Sequence, residues 1–300
     1  MVPTPDQTPP SPSGSSPDDK SKAAGSTPAV FVSVTAVATV TVSGLLFMHN
    51  NRPRATDGSD QATPGIVQQM ATDGAQTKPP SLQAVLDART AESAAQMPEE
   101  VKADMQAASE ELTNSGLVDQ AVSTGDMAPA FELPDAKGAT TSLAQLTAEG
   151  PVVLTWYRGG WCPYCNLQLR AYQDILPQIE ATGARLVAIT PETPDNSLST
   201  VEKDNLEFTV LSDAGNAVAS AYGLVFTLPD NLIERYRGFG IDLEQANGDD
   251  TWTLPLAATY VIDTDGTIAW AFVDADYRKR AEPADILAAL ERIAAIPTDQ

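Results

Sequence analysis

The chain has 300 residues, 18 Lys and Arg against 40 Asp and Glu, and a formal net charge of -22. Phosphate binding needs clustered Lys and Arg, so this balance argues against a nucleic-acid partner and for a solvated, self-repelling surface. The two cysteines cannot staple a small secreted scaffold. With the single histidine, His49, far from them, they also argue against a structural zinc site, which wants four Cys or His ligands, although a zinc shared between two chains stays open.

Residues 1–28 are mostly Pro, Ser, Thr, Asp and Gly, with almost no large apolar side chain. Such a stretch cannot bury enough surface to offset its ordering entropy, so disorder is expected. From Ala29 to Met48 there is no charged residue. Twenty residues at about 1.5 Å each span a hydrocarbon core of about 30 Å. The Val- and Thr-rich composition favours a strand in water, but an isolated strand in lipid leaves its backbone unpaired. The expectation is one transmembrane helix at 29–49. A cleaved signal peptide fits less well, because the region before it is long and the small-residue site Ala36-Val37-Ala38 cuts the run in half. Lys20 and Lys22 precede the span and Arg52 and Arg54 follow it, so the positive-inside count is tied and the side holding the rest of the chain is undetermined. Residues 50–80, rich in Gly, Pro, Gln and Thr, read as a flexible linker.

Residues 81–118 read as a helical appendage whose role is packing. Ser81 suits an N-cap, with Leu82, Val85 and Leu86 on one face. Pro98 suits the first turn of a second helix carrying Val101, Met105, Ala108 and Leu112 at helical spacing, and Gly116 stops it.

Strands and helices alternate over residues 124–296. Val152 to Tyr157 is a short apolar run expected as a buried strand. The spacing predicts a helix from Cys162 to Ile179, bent by Pro177, with Leu169, Tyr172, Leu176 and Ile179 inward. Further strands are expected at Arg185–Thr190 and Thr209–Leu211, and helices at Asp195–Asn205 and Ala214–Tyr222. Residues 224–253 carry no firm assignment. A hairpin follows, Thr259–Ile262 and Thr267–Val273, turning at Asp263-Thr264-Asp265-Gly266, and then an amphipathic helix with Ile286, Leu287, Leu290 and Ile293. The pattern implies an α/β sheet covered on both faces.

Both cysteines fall three apart, in Trp161-Cys162-Pro163-Tyr164-Cys165. Strand, tight turn, Cys-x-x-Cys and helix is the context of a thioredoxin-like redox site, able to form and exchange one disulfide. A helix N-terminus stabilises an anion through unpaired N–H groups and the helix dipole, and the thiolate is the reactive form of cysteine. Arg158 is the nearest fixed cation in sequence. It either favours the thiolate or pairs with a surface carboxylate. Trp161 and Tyr164 either shape access to the loop or serve as ordinary packing.

Gly125-Asp126-Met127-Ala128-Pro129-Ala130-Phe131-Glu132-Leu133 resembles the opening segment of peroxiredoxins of the alkyl hydroperoxide reductase and thiol-specific antioxidant type. Trp156 to Cys165 resembles the redox loop of a peroxiredoxin-like branch carrying a Cys-Pro-Tyr-Cys motif. Thr259-Tyr260-Val261-Ile262-Asp263 with its Gly turn resembles the thioredoxin-fold hairpin. The resemblance covers about 125–295 and implies a thioredoxin-like fold, with a central mixed sheet and helices on both faces.

Matching Tyr157 to the aromatic residue of the family's Pro-x-x-x-Thr/Ser-x-x-Cys motif puts the peroxide-attacking cysteine at Cys165 and leaves Cys162 to resolve. It also puts Arg158 at the Pro position and Cys162 at the Thr position. The family's distant Arg falls near Ala257, and Pro255 lies two residues before the thioredoxin cis-Pro position. The implied activity is a thiol peroxidase for hydrogen peroxide or organic hydroperoxides, with catalytic Cys165, Cys162 and Arg158. Trp161, Pro163 and Tyr164 shape the site. The reductant is thioredoxin or a similar dithiol protein, with no metal or cofactor. The missing Thr and Arg favour a thiol–disulfide oxidoreductase acting on proteins, as in thioredoxins, and Cys-Pro-Tyr-Cys itself matches glutaredoxins, although no glutathione signature accompanies it. A redox sensor is the third reading.

Overall fold

The computed structural model describes residues 80–295. The segments expected at 1–28 and 29–49, and nearly all of the linker at 50–80, lie outside the described residues. Among the described residues no helix is long and apolar enough to cross a membrane.

Helix α1 (Leu82–Gln96) starts at Ser81, whose hydroxyl accepts the Ala84 N–H. Pro98 stands at the cap of α2 (Glu99–Asn114), and Gly116, at φ 75°, turns the chain into the short α3 (Leu117–Gln120). A small antiparallel pair, β1 (Glu132–Pro134) and β2 (Thr140–Ser142), leads to α4 (Leu143–Glu149). The central run is β3 (Val152–Trp156), α5 (Pro163–Asp174), α6 (Leu176–Ala181), β4 (Arg185–Thr190), α7 (Pro194–Asp204) and β5 (Thr209–Ser212). After α8 (Ala217–Ala221), residues 224–253, unassigned from sequence, form β6 (Val225–Thr227), α9 (Asp230–Gly238), α10 (Leu243–Asn247) and the start of β7 (Thr253–Pro255). The hairpin β8 (Ala257–Ile262) and β9 (Ile268–Asp274) and the final α11 (Pro283–Ala294) complete the chain.

The main sheet has the order β5-β4-β3-β8-β9. Strands β3, β4 and β5 run parallel, and β8 and β9 add to β3 antiparallel. Every residue of β3 is buried, as a central strand covered on both faces requires. Val153 and its neighbours pack under α1, α5, α6 and α11, while Leu154 and Trp156 pack on the other face with Leu143, Phe131 and Tyr222. This is the thioredoxin-like α/β arrangement.

The single helix expected from Cys162 to Ile179 is two helices. The break falls at Ile175, and Pro177 sits in the first turn of α6, where its missing N–H costs nothing. Cys162 caps α5 rather than lying inside it.

Residues 81–118 are more than a surface addition. Leu82 and Leu86 belong to the same buried cluster as Cys162 and Cys165. Glu282, the cap of α11, accepts the Leu82 and Gln83 N–H groups at 3.0 and 2.7 Å, tying the two ends of the described chain together. Leu86 is fully buried. Leu86→Ala in the full chain is expected to cost about 2–5 kcal/mol in urea unfolding; a loss below about 0.5 kcal/mol, typical of surface positions, would place α1 outside the core.

Candidate active site

The site forms where β3 ends. Tyr157 continues the sheet by donating its N–H to Ile189 O at 3.0 Å, and the chain then turns sharply through Gly159 and Gly160. Gly159 has φ 149°, and a Cβ there would lie 2.2 Å from the Trp161 indole nitrogen. A Cβ on Gly160 would lie 2.0 Å from the Thr200 hydroxyl. Both positions therefore exclude any side chain without local movement. Cys162 N–H closes the turn onto Gly159 O at 3.1 Å, and Cys162 O accepts the Asn166 N–H as the first helical bond. Pro163 is exposed at the start of α5, and Cys165 lies one position short of a full turn beyond Cys162.

Both thiols are free and fully buried. Arg158, only 5% exposed, donates from Nη2 to Cys162 Sγ at 3.2 Å and from Nη1 to the Tyr236 hydroxyl at 3.2 Å. Its guanidinium lies 4.5 Å from the Tyr277 ring centre and 5.5 Å from that of Trp161. Burial alone would lower the pKa of Arg158, but the negative charge offered by Cys162 and its hydrogen bond hold it raised. Tyr164 packs edge-on against Tyr277, and its hydroxyl lies 3.2 Å from Thr90 of α1.

A second arginine, Arg280, reaches the pair from beyond β9. Its Nη2 lies 3.5 Å from Cys165 Sγ. It is held by Gln168 Oε1 and by the carbonyls of Tyr277 and Lys279. Gln168 continues into a buried chain of hydroxyls, Thr155, Thr259 and Tyr172, which closes on Ala281 O. The buried network around Arg280 and Gln168 is therefore internally satisfied.

This environment makes the two sulfurs unequal. Burial pushes Cys162 up. The hydrogen bond from Cys165, the charges of Arg158 and Arg280 and the Arg158 N–H outweigh it and hold Cys162 well below the usual thiol range. Burial, the hydrogen bond that it donates and the Cys162 charge keep Cys165 well above that range, against the two arginines. The arrangement supports one thiolate beside one thiol.

The AhpC/TSA family matches residues 124–271. Chloroplastic peroxiredoxin Q of Sedum lineare is 31% identical over 147 residues, which are 49% of this chain and 67% of that protein. The chain belongs to the AhpC/TSA family. Chloroplastic peroxiredoxin Q of Triticum aestivum is 31% identical over 159 residues, 53% of this chain and 63% of that protein. The chain spans about three-fifths of the length of several such peroxiredoxin Q relatives. The crystal structure of peroxidoxin BcpB from Mycobacterium tuberculosis aligns with a TM-score of 0.46 at 25% identity, covering 57% of this chain and 98% of that one.

The structure brings together Arg158, Trp161, Cys162, Pro163, Tyr164 and Cys165, as expected from one loop. Sequence reading missed Arg280, Gln168, Tyr236 and Tyr277, which converge from distant elements. Where the AhpC/TSA motif led to an arginine expected near Ala257, the cation comes instead from Arg280, after β9. The signal available was the run Arg278-Lys279-Arg280 in a chain so poor in basic residues.

Glu192, after β4, was also missed. It is 4% exposed, and its Oε2 accepts the Gly160 N–H at 3.0 Å. Burial raises its pKa from 4.5 to about 7, against the Gly160 N–H, which lowers it. A raised acid stabilises the fold while protonated. Its contribution is complete below about pH 4.5 and is lost as pH rises to about 7. Glu192→Gln is therefore expected to abolish a stability decline on the order of 3 kcal/mol across that window, read from urea midpoints at stepped pH. Parallel profiles for the two proteins would show that folding leaves the Glu192 pKa unshifted.

Proposed function

We propose that this protein is a thiol-dependent peroxidase that reduces hydrogen peroxide or organic hydroperoxides with Cys162 and Cys165, and is reset by thioredoxin or a similar dithiol protein. The observation that carries the reading is a buried sulfur 3.2 Å from a buried guanidinium, with a second thiol beside it. Family membership supports the same chemistry. One thiolate attacks one oxygen of the O–O bond. An S–O bond forms, the O–O bond breaks, and the remaining oxygen leaves as water or an alcohol after taking a proton. The resulting sulfenic acid carries the two-electron oxidation. The second thiol then attacks that sulfur, the disulfide forms, and water leaves. The external dithiol returns two electrons by exchange.

Full burial of both sulfurs in the reduced state favours a small oxidant over a protein disulfide, which must bring its own sulfurs into bonding contact. Residues 29–49 would tether the domain to a membrane, a reading supported by the twenty uncharged residues there.

The test is peroxide consumption by the full chain with a thioredoxin system. The wild type is expected to turn over, and Cys162→Ser and Cys165→Ser are each expected to lose at least about tenfold of the sustained rate, since neither can form the recyclable disulfide. Reduction of a protein disulfide with no peroxide consumption would transfer the chain to the oxidoreductase class.

A further inference from the structure

A cleft of about 240 Å³ opens beside the site. Its walls are mainly apolar side chains of α2 (Met105, Leu112), β6 (Phe226) and α9 (Leu232), and Glu111 is its one carboxylate. Its one cationic lining residue is Arg158, which stands there with Tyr236. Arg158 is more than nine-tenths buried, its Nε has no partner, and it pairs with no carboxylate among the described residues. The same guanidinium holds Cys162 Sγ at 3.2 Å. Cys165 instead meets Arg280, which is absent from the cleft lining and already engaged by Gln168 and two carbonyls.

We propose that this cleft seats the hydrocarbon part of an organic hydroperoxide and delivers its O–O bond past Arg158 to Cys162, which attacks, leaving Cys165 to resolve. The inference rests on the peroxidase reading and reverses the order implied by the AhpC/TSA motif, in which Cys165 attacks. Of the two positions where this chain departs from that motif, Arg158 lines the cleft, and Cys162 Sγ lies 3.2 Å from the Arg158 guanidinium. Helix α2, which supplies one wall, lies outside the region matched by the family. An apolar group buried there gains contact, while the unsatisfied Arg158 N–H meets the peroxide oxygens.

Cys162 thiolate attacks the terminal oxygen of R–O–O–H, an S–O bond forms, and the O–O bond breaks. The alkoxide takes a proton and leaves as the alcohol, and Cys162 becomes the sulfenic acid. The Cys165 thiol then attacks Cys162 Sγ, expelling water as the disulfide closes. The electrons return from the dithiol reductant already named.

Two measurements on the full chain test this. In the first, Cys165→Ser and Cys162→Ser are exposed to cumene hydroperoxide, and the sulfenic acid is trapped with dimedone and located by mass spectrometry. Cys162 in the Cys165→Ser protein is expected to be labelled at least about tenfold faster than Cys165 in the Cys162→Ser protein. Equal rates, or a faster Cys165, would overturn the assignment. The second compares kcat/KM for cumene hydroperoxide and for hydrogen peroxide in wild type, Ala108→Trp and Met105→Trp, with folding checked by circular dichroism. Filling the cleft is expected to lower the cumene-to-hydrogen peroxide ratio by roughly tenfold or more. An unchanged ratio in a folded variant would overturn the cleft while leaving the peroxidase reading intact. If no variant and no wild-type sample reacts with either peroxide, the peroxidase reading fails and the inference falls with it.

Discussion

Two guanidinium groups are buried against two sulfurs, and neither has a carboxylate partner among the described residues. A buried charge is tolerated only when paired and hydrogen-bonded. Carbonyls, Gln168 and the Tyr236 hydroxyl satisfy N–H groups but supply no full negative charge at neutral pH. The remaining source is a thiolate. One sulfur must therefore carry the charge, and the low effective dielectric of the site penalises a second anion beside the first. The inequality of Cys162 and Cys165 follows from this constraint, and so does the need for elements that carry each arginine inward.

Those elements are spread along the chain. Strand β3 delivers Arg158 at its carboxyl end, where the Gly159-Gly160 turn lets Trp161 and Thr200 approach the backbone. Cys162 is the N-cap of helix α5, so the unpaired N–H groups of its first turn lie beside the pair. The segment after β9 brings Arg280, and Glu282 then caps α1, which lies over α5. Helix α9 brings Tyr236 to Arg158 and packs with Trp252, Leu254 and Met105 in a third apolar cluster. Segments that seem peripheral in sequence thus build the walls of the redox centre.

Local signals made much of this legible beforehand. The all-apolar run at β3, the β8–β9 hairpin with Gly266 at φ 88° and the Cys-x-x-Cys loop each encode their structure within a few residues. Residues 224–253 resisted reading because their four helical and strand pieces are short and their apolar residues answer to a tertiary cluster rather than to one period. The helix break at Ile175 was half visible, since Pro177 marked a weakness that becomes a new helix start. The long-range partners were least legible. Nothing near Gln168 or Glu192 in sequence points to the site, and the basic run ending at Arg280 names no partner, because those contacts arise only when the sheet closes.

A single buried thiolate held by two arginines is the centre of the site. Titrating the reduced full-length protein by thiolate ultraviolet absorbance, beside Arg158→Gln, tests it directly. The wild type is expected to show one thiolate forming well below the ordinary thiol pKa of about 8.5, with the second thiol protonated beyond it, and Arg158→Gln is expected to move the first transition upward. Two thiols titrating together near the ordinary value, unaffected by Arg158→Gln, would contradict it.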